Sequence, residues 1–107
     1  MLKRLSRSDA VDLVHHCLEQ GRVRWGGHFR KSLAEEKDVT LTDVWNVLRS
    51  GNIYEEPEQD IRTGDWKYRL EGHEAGGKWL AVVLTLRDEN ETFLITIFSI
   101  EAKRRKT

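Results

Sequence analysis

His28, Arg30, Lys67, Arg69 and Thr96 are the residues of this chain whose types and spacing could do chemistry on a phosphate. His28 follows Gly26 and Gly27, which would let a ligand approach closely, and opens a helical stretch. An exposed imidazole there suits acid/base work; it reads equally well as a surface or capping histidine. Arg30 and Lys31 follow within one turn and could bind phosphate, or form an ordinary solvated face. Lys67 and Arg69 lie two apart on an extended stretch, so they project from the same side. A rigid sheet face holds cations where a scissile phosphate needs them, and Arg adds a bidentate fork. The plain alternative is the wet face of an edge strand. Thr96 interrupts an apolar run: its hydroxyl is either hydrogen-bonded core or a polar group at a concave sheet surface. Trp66, Tyr68 and Trp79 could stack bases, although such residues are more often core.

Other chemistries lack their residues. Cys17 is the single cysteine, which excludes a disulfide framework and a Cys-rich zinc site. His15 and His16 are adjacent on a helix and point about 100° apart, a poor pair of metal ligands. No HExxH, phosphate-loop, dinucleotide-loop or GxSxG motif occurs, so neither metal nor cofactor is expected. No signal-like segment opens the chain, and no apolar run approaches the roughly 20 residues of a membrane helix. A reducing cytoplasm fits the lone thiol. The net charge is zero, which counts against strong nucleic-acid affinity from charge alone. The charges are nevertheless polarised. Residues 1–31 carry seven Lys/Arg against three Asp/Glu, residues 32–65 three against nine, and residues 66–107 eight against six.

The elements that must position these residues follow from periodicity. Ser8 is placed to cap a helix through Gln20, with Val11, Val14 and Leu18 as its apolar stripe and Gly21 as its stop. Residues 22–25 alternate as a short strand. A second helix spans residues 28–37, with Phe29 and Leu33 one turn apart. Thr40 or Thr42 caps a third, ended by Ser50-Gly51-Asn52. Residues 53–55 form a short strand, and Pro57 sits in an acidic loop. Residues 66–71 alternate as an amphipathic strand. Residues 79–86 are a nearly continuous apolar run, as a strand buried on both faces is, residues 93–100 form a last strand that is again nearly all apolar, and residues 87–91 link them as a hairpin loop. This order predicts a single α+β domain over residues 1–107: two to three N-terminal helices packed on a C-terminal antiparallel sheet of about four strands. Residues 1–22 form a helical extension, and the basic residues 101–107 a frayed tail.

The stretch from Val23 to Ser99 resembles a small bacterial family. The telling pieces are Gly27-His28-Phe29-Arg30, Val39 to Val44, Val47 to Gly51, Ile53 to Glu56, Lys67 to Gly72, Trp79 to Val83 and Ile95 to Phe98. They are similar to an uncharacterised family grouped with the BrnT-like toxins, and Gln20 to Val23 leading into a strand resembles the MqsR-like toxins. Both sit near the RelE-like ribonucleases. The resemblance implies a RelE-like fold and a metal-independent endoribonuclease of a toxin–antitoxin pair. Its partners would be RNA, including ribosome-bound mRNA, and a cognate antitoxin protein, with a homodimer as a further option. The ribose 2′-hydroxyl would attack the adjacent phosphate. His28 would act as base or acid, Arg30, Lys67 and Arg69 would hold the phosphate, and Thr96 would orient one of them, all where the Lys67–Arg69 face meets His28. The chain departs from the family pattern after Lys31. In such chains the helix after His28 usually carries further arginines and ends in Arg-Gly; here residues 32–38 read Ser-Leu-Ala-Glu-Glu-Lys-Asp, and Glu35 and Glu36 would repel RNA if they faced it. That departure and the zero net charge keep open a non-catalytic binding module, and the apolar Phe93–Ile100 run, read as an exposed edge, keeps open an interaction subunit that pairs its last strand with a partner.

Overall fold

The first helix starts before Ser8. In the computed structural model, which describes residues 2–100, Ser6 is the cap: its hydroxyl accepts from the Asp9 amide, and helix α1 runs Arg7–Gln20. Ala10, Val14 and Cys17 form its buried stripe, so residues expected to be an extension contribute to the core. Gly21 ends α1 because of space. A Cβ there would lie 2.3 Å from the Asn90 carbonyl oxygen, the atom that accepts from the Arg22 amide. Burial pushes the Cys17 thiol above its usual range, against a downward pull from the Thr92 hydroxyl, so at neutral pH it is a small apolar group.

Strand β1 (Arg22–Trp25) leads into α2 (Gly27–Glu35). Helix α3 (Leu41–Ser50) begins with a capping box: the Thr40 hydroxyl accepts from the Asp43 amide, and Asp43 Oδ2 accepts from the Thr40 amide at 2.8 Å. Thr40→Ala is expected to cost about 1 kcal/mol, measured as a shift in urea midpoint. A change under about 0.3 kcal/mol would mean that tertiary packing alone holds the helix start.

The remaining strands are β2 (Asn52–Ile53), β3 (Glu58–Gln59), β4 (Trp66–His73), β5 (Trp79–Asp88) and β6 (Glu91–Ile100). The sheet therefore has six strands among the described residues, not about four. Its order is β1-β6-β5-β4-β2, with β3 also on β4. It is mixed rather than antiparallel: β1 lies parallel to β6, with Arg22 opposite Glu91 and Trp25 opposite Leu94. Strands β5 and β6 are internal to it, as their apolar runs suggest. Strand β4 is internal too, so Lys67 and Arg69 do not sit on an edge. The β5–β6 connection is tighter than the expected loop, since Asp88 already pairs with Glu91. The basic tail, residues 101–107, lies outside the described residues. Among those residues no helix is long and apolar enough to cross a membrane.

One face of the sheet carries Tyr68, Leu70, Leu80, Val82, Leu84, Leu86, Leu94 and Ile97 into a core shared with α1, α2 and α3. The opposite face presents Lys67, Arg69 and Glu71 of β4 beside Thr85, Val83 and Ala81 of β5.

Candidate functional site

On that second face, Lys67, Arg69 and Thr96 line one concavity of about 270 Å³, together with Val83, Ile95, Phe98 and the carboxylates of Glu55, Glu56 and Glu58. Thr96 reaches it through a break in strand register. Leu94 pairs with Leu84, but Thr96 pairs with Val83, so Ile95 is an extra residue in β6. Leu94 faces the core, and in a regular strand Thr96, two residues on, would face it too. The bulge turns Thr96 to the other side, and Ile95 and Thr96 both line the concavity although adjacent in sequence. Of the two readings open for Thr96, the concave surface is the one found.

Arg69 is held rather than free. Its Nε donates to Glu71 at 2.9 Å and its Nη2 to Glu55 at 2.9 Å, and its guanidinium lies 5.5 Å from the centre of the Phe98 ring. Glu71 has no exposed surface and also accepts from the Trp79 indole at 2.9 Å. A buried carboxylate bonded to an indole and a guanidinium is a rigid anchor for the arginine above it. Lys67 sits across from Glu58 of β3. The loop between β2 and β3 carries the other two acids, and Glu56 is bound by Arg4 at 2.7 Å. Asp60, one turn further on, is held below the usual carboxylate range by the Arg62 and Thr63 amides, with a small contribution from Lys67. The lining therefore holds two cations against three carboxylates, in contrast to an open phosphate cradle.

His28 and Arg30 do not line the concavity; both are exposed on α2. Helix α2 is nonetheless tied to it. Ser32 Oγ donates to the His28 carbonyl at 3.0 Å and lies 2.8 Å from Thr96 Oγ1. Since Ser32 has one hydroxyl proton and spends it on His28, Thr96 is the donor in the second bond. His28 thus stands one helical turn from the residue that meets the rim. Arg30 lies two positions from Ser32, on a different side of the helix.

Three contributors escaped the sequence reading. Ser32 carries no signal of its own, being an ordinary helix residue. Glu55 reads only as the end of a short strand over residues 53–55, next to an acidic loop. Glu71 did have a signal: it continues the alternation of Lys67 and Arg69 on β4, a carboxylate two residues from an arginine on the same side. Among the described residues no group of His, Cys, Asp and Glu could hold a metal ion. Tyr68 is buried in the core and Trp79 is buried against Tyr54 and His73, so neither is open to stack a base; Trp66 is partly buried, packed on the core with Arg4 over its ring.

Residues 25–99 match the model of one protein family, described as Domain of unknown function (DUF4258). No curated protein and no solved structure matches the chain.

Proposed function

The chain belongs to the DUF4258 family, and from that premise we propose that it is a cytoplasmic endoribonuclease of the RelE-like, BrnT-like toxin class, neutralised by a protein antitoxin. The observation that carries this reading is the grouping of Lys67, Arg69 and Thr96 around one concavity beside α2. Two cations on a rigid strand can steady a phosphate whose charge grows as the 2′ oxygen attacks. Fixing Arg69 from below through Glu71 leaves little of its orientation to be settled on binding. His28, near the rim on α2, would take the 2′ proton or supply one to the leaving 5′ oxygen, with Arg30 as an outer phosphate contact. No step in this scheme requires a metal.

In the test, purified protein is incubated with mixed-sequence RNA, free and ribosome-bound, in EDTA. Cleavage leaving 2′,3′-cyclic phosphate ends is expected, with Lys67→Ala and Arg69→Ala each slower by about 100-fold or more. Cleavage at the wild-type rate by both variants, or intact RNA with wild-type protein, sinks the reading. One observation favours a second reading, a non-catalytic binding module: Glu55 and Glu71 together compensate the charge of Arg69. On that reading RNA stays intact.

A further inference from the structure

Away from the concavity, at the β1 side of the same sheet face, three arginines surround one carboxylate. Glu91 lies 3.2 Å from Arg22 Nε, 3.5 Å from Arg24 Nε and 3.7 Å from Arg87 Nη1. The Glu91 side chain is only 13% exposed, whereas the arginine side chains are 55%, 61% and 52% exposed. Solvent therefore meets guanidinium, with the carboxylate beneath as an anchor. Arg22 and Arg24 meet Glu91 through Nε, and more than half of each side chain stays exposed, so both guanidinium groups remain accessible to a phosphate. Arg87 also stacks on Phe93, its guanidinium carbon 4.0 Å from the ring centre. The neighbouring acids are Asp88 and Glu89 at the β5–β6 turn, and Asp88 Oδ1 already accepts from the Asn90 amide.

Strand register links this cluster to the concavity. Arg24 lies opposite Phe93, Phe93 opposite Thr85, and Thr85 opposite Lys67, forming one row across β1, β6, β5 and β4. The row spans three strand spacings, about 14 Å, too far for one phosphate to touch both Arg24 and Lys67. Cations at both ends and a guanidinium-capped aromatic ring between them match the needs of an extended nucleic-acid strand: phosphates on the arginines, and a base stacked on the flat Arg87 guanidinium that lies over Phe93.

We propose that Arg22, Arg24, Arg87 and Phe93 form a track for single-stranded RNA leading to the Lys67 end of the concavity. The proposal rests on the RNA reading of that concavity, and its test is independent of cleavage. The probe is a fluorescein-labelled 2′-O-methyl oligouridylate, which lacks the attacking hydroxyl, titrated by anisotropy from 50 to 200 mM salt. The variant carrying Arg22→Gln, Arg24→Gln and Arg87→Gln is expected to bind at least about tenfold more weakly. Its salt slope should be shallower by roughly 2, from three lost phosphate contacts at about 0.7 each. Arg24→Glu alone, a change at an exposed position, should weaken binding in the same direction and serves if the triple variant does not fold. Phe93→Leu should weaken the oligonucleotide while leaving a polyglutamate peptide unaffected. Unchanged affinity and slope in the arginine variants, no binding by wild type at 50 mM salt, or tighter binding of polyglutamate than of an oligonucleotide of equal charge overturns the track. A wild type that binds the 2′-O-methyl strand but leaves RNA intact removes the nuclease reading and supports the track.

Discussion

Glu71→Ala should destabilise the protein by about 3–5 kcal/mol, the cost of breaking a buried, hydrogen-bonded ion pair from one side. Glu71 has no exposed surface, and the substitution removes the acceptor of the Trp79 indole while leaving an arginine beside the gap. An orphaned buried donor alone costs about 1–3 kcal/mol, and the empty volume adds to it. Arg69 is 30% exposed and keeps Glu55, so part of its loss is recovered from solvent and from that partner. Glu71→Gln separates the contributions. It keeps an acceptor for the indole but removes the charge, and it should cost less than the alanine variant. Thermal melting is the measurement, with a drop of at least about 10 °C expected for Glu71→Ala in a domain of this size. A drop of less than about 4 °C would mean that this buried group is not the support of Arg69.

Phe29→Ala is expected to cost a similar 3–5 kcal/mol, the usual range for deleting a buried phenyl ring. Phe29 is the single fully buried side chain on α2, 1% exposed, and its ring lies 6.2 Å from that of Trp25. A nine-residue helix with no side-chain cap has little stability of its own, so this ring is what keeps α2 on the sheet. Its loss should loosen the helix locally as well as globally. Amide exchange in α2 should accelerate more than exchange in β5, and the Ser32–Thr96 contact should go with it. If α2 exchanges at the wild-type rate in a folded Phe29→Ala protein, the helix is held by something else. Phe29→Leu, which preserves much of the volume, should retain most of the protection.

How much of this was legible beforehand depends on the range of the forces involved. The capped helix at Leu41–Ser50 and the apolar strands β5 and β6 follow from local chemistry, because a capping box and a two-sided apolar run are written in neighbouring residues. The grouping of Lys67 with Arg69 follows from the two-residue period of a strand. By contrast, β1 pairs with a strand 69 residues away, and nothing within Arg22–Trp25 specifies a parallel partner. Strands β2 and β3 are two residues each, too short for any period, and are defined by pairing with β4. The bulge at Ile95 is the most consequential of the hidden features. The nearly all-apolar run of Phe93 to Ile100 has no period that would mark a register change, yet that change decides which side Thr96 faces. The separation of His28 from the lining of the concavity was likewise unreadable, since it depends on how α2 lies against β6.

The parallel pairing of β1 with β6 also sets an order of events during synthesis. Arg22–Trp25 leaves the ribosome well before its hydrogen-bonding partner, Glu91–Leu94. Until that segment has emerged, α1 and α2 flank a strand with nothing to pair with, and Val23 and Trp25 have no completed core to enter. The sheet can therefore close only once Glu91–Leu94 has been made. A long wait for distant contacts slows folding and leaves apolar surface uncovered in the meantime. Chains stalled before Glu91 would lack the partner of β1 altogether, which makes truncated products of this protein natural clients for chaperones and proteases.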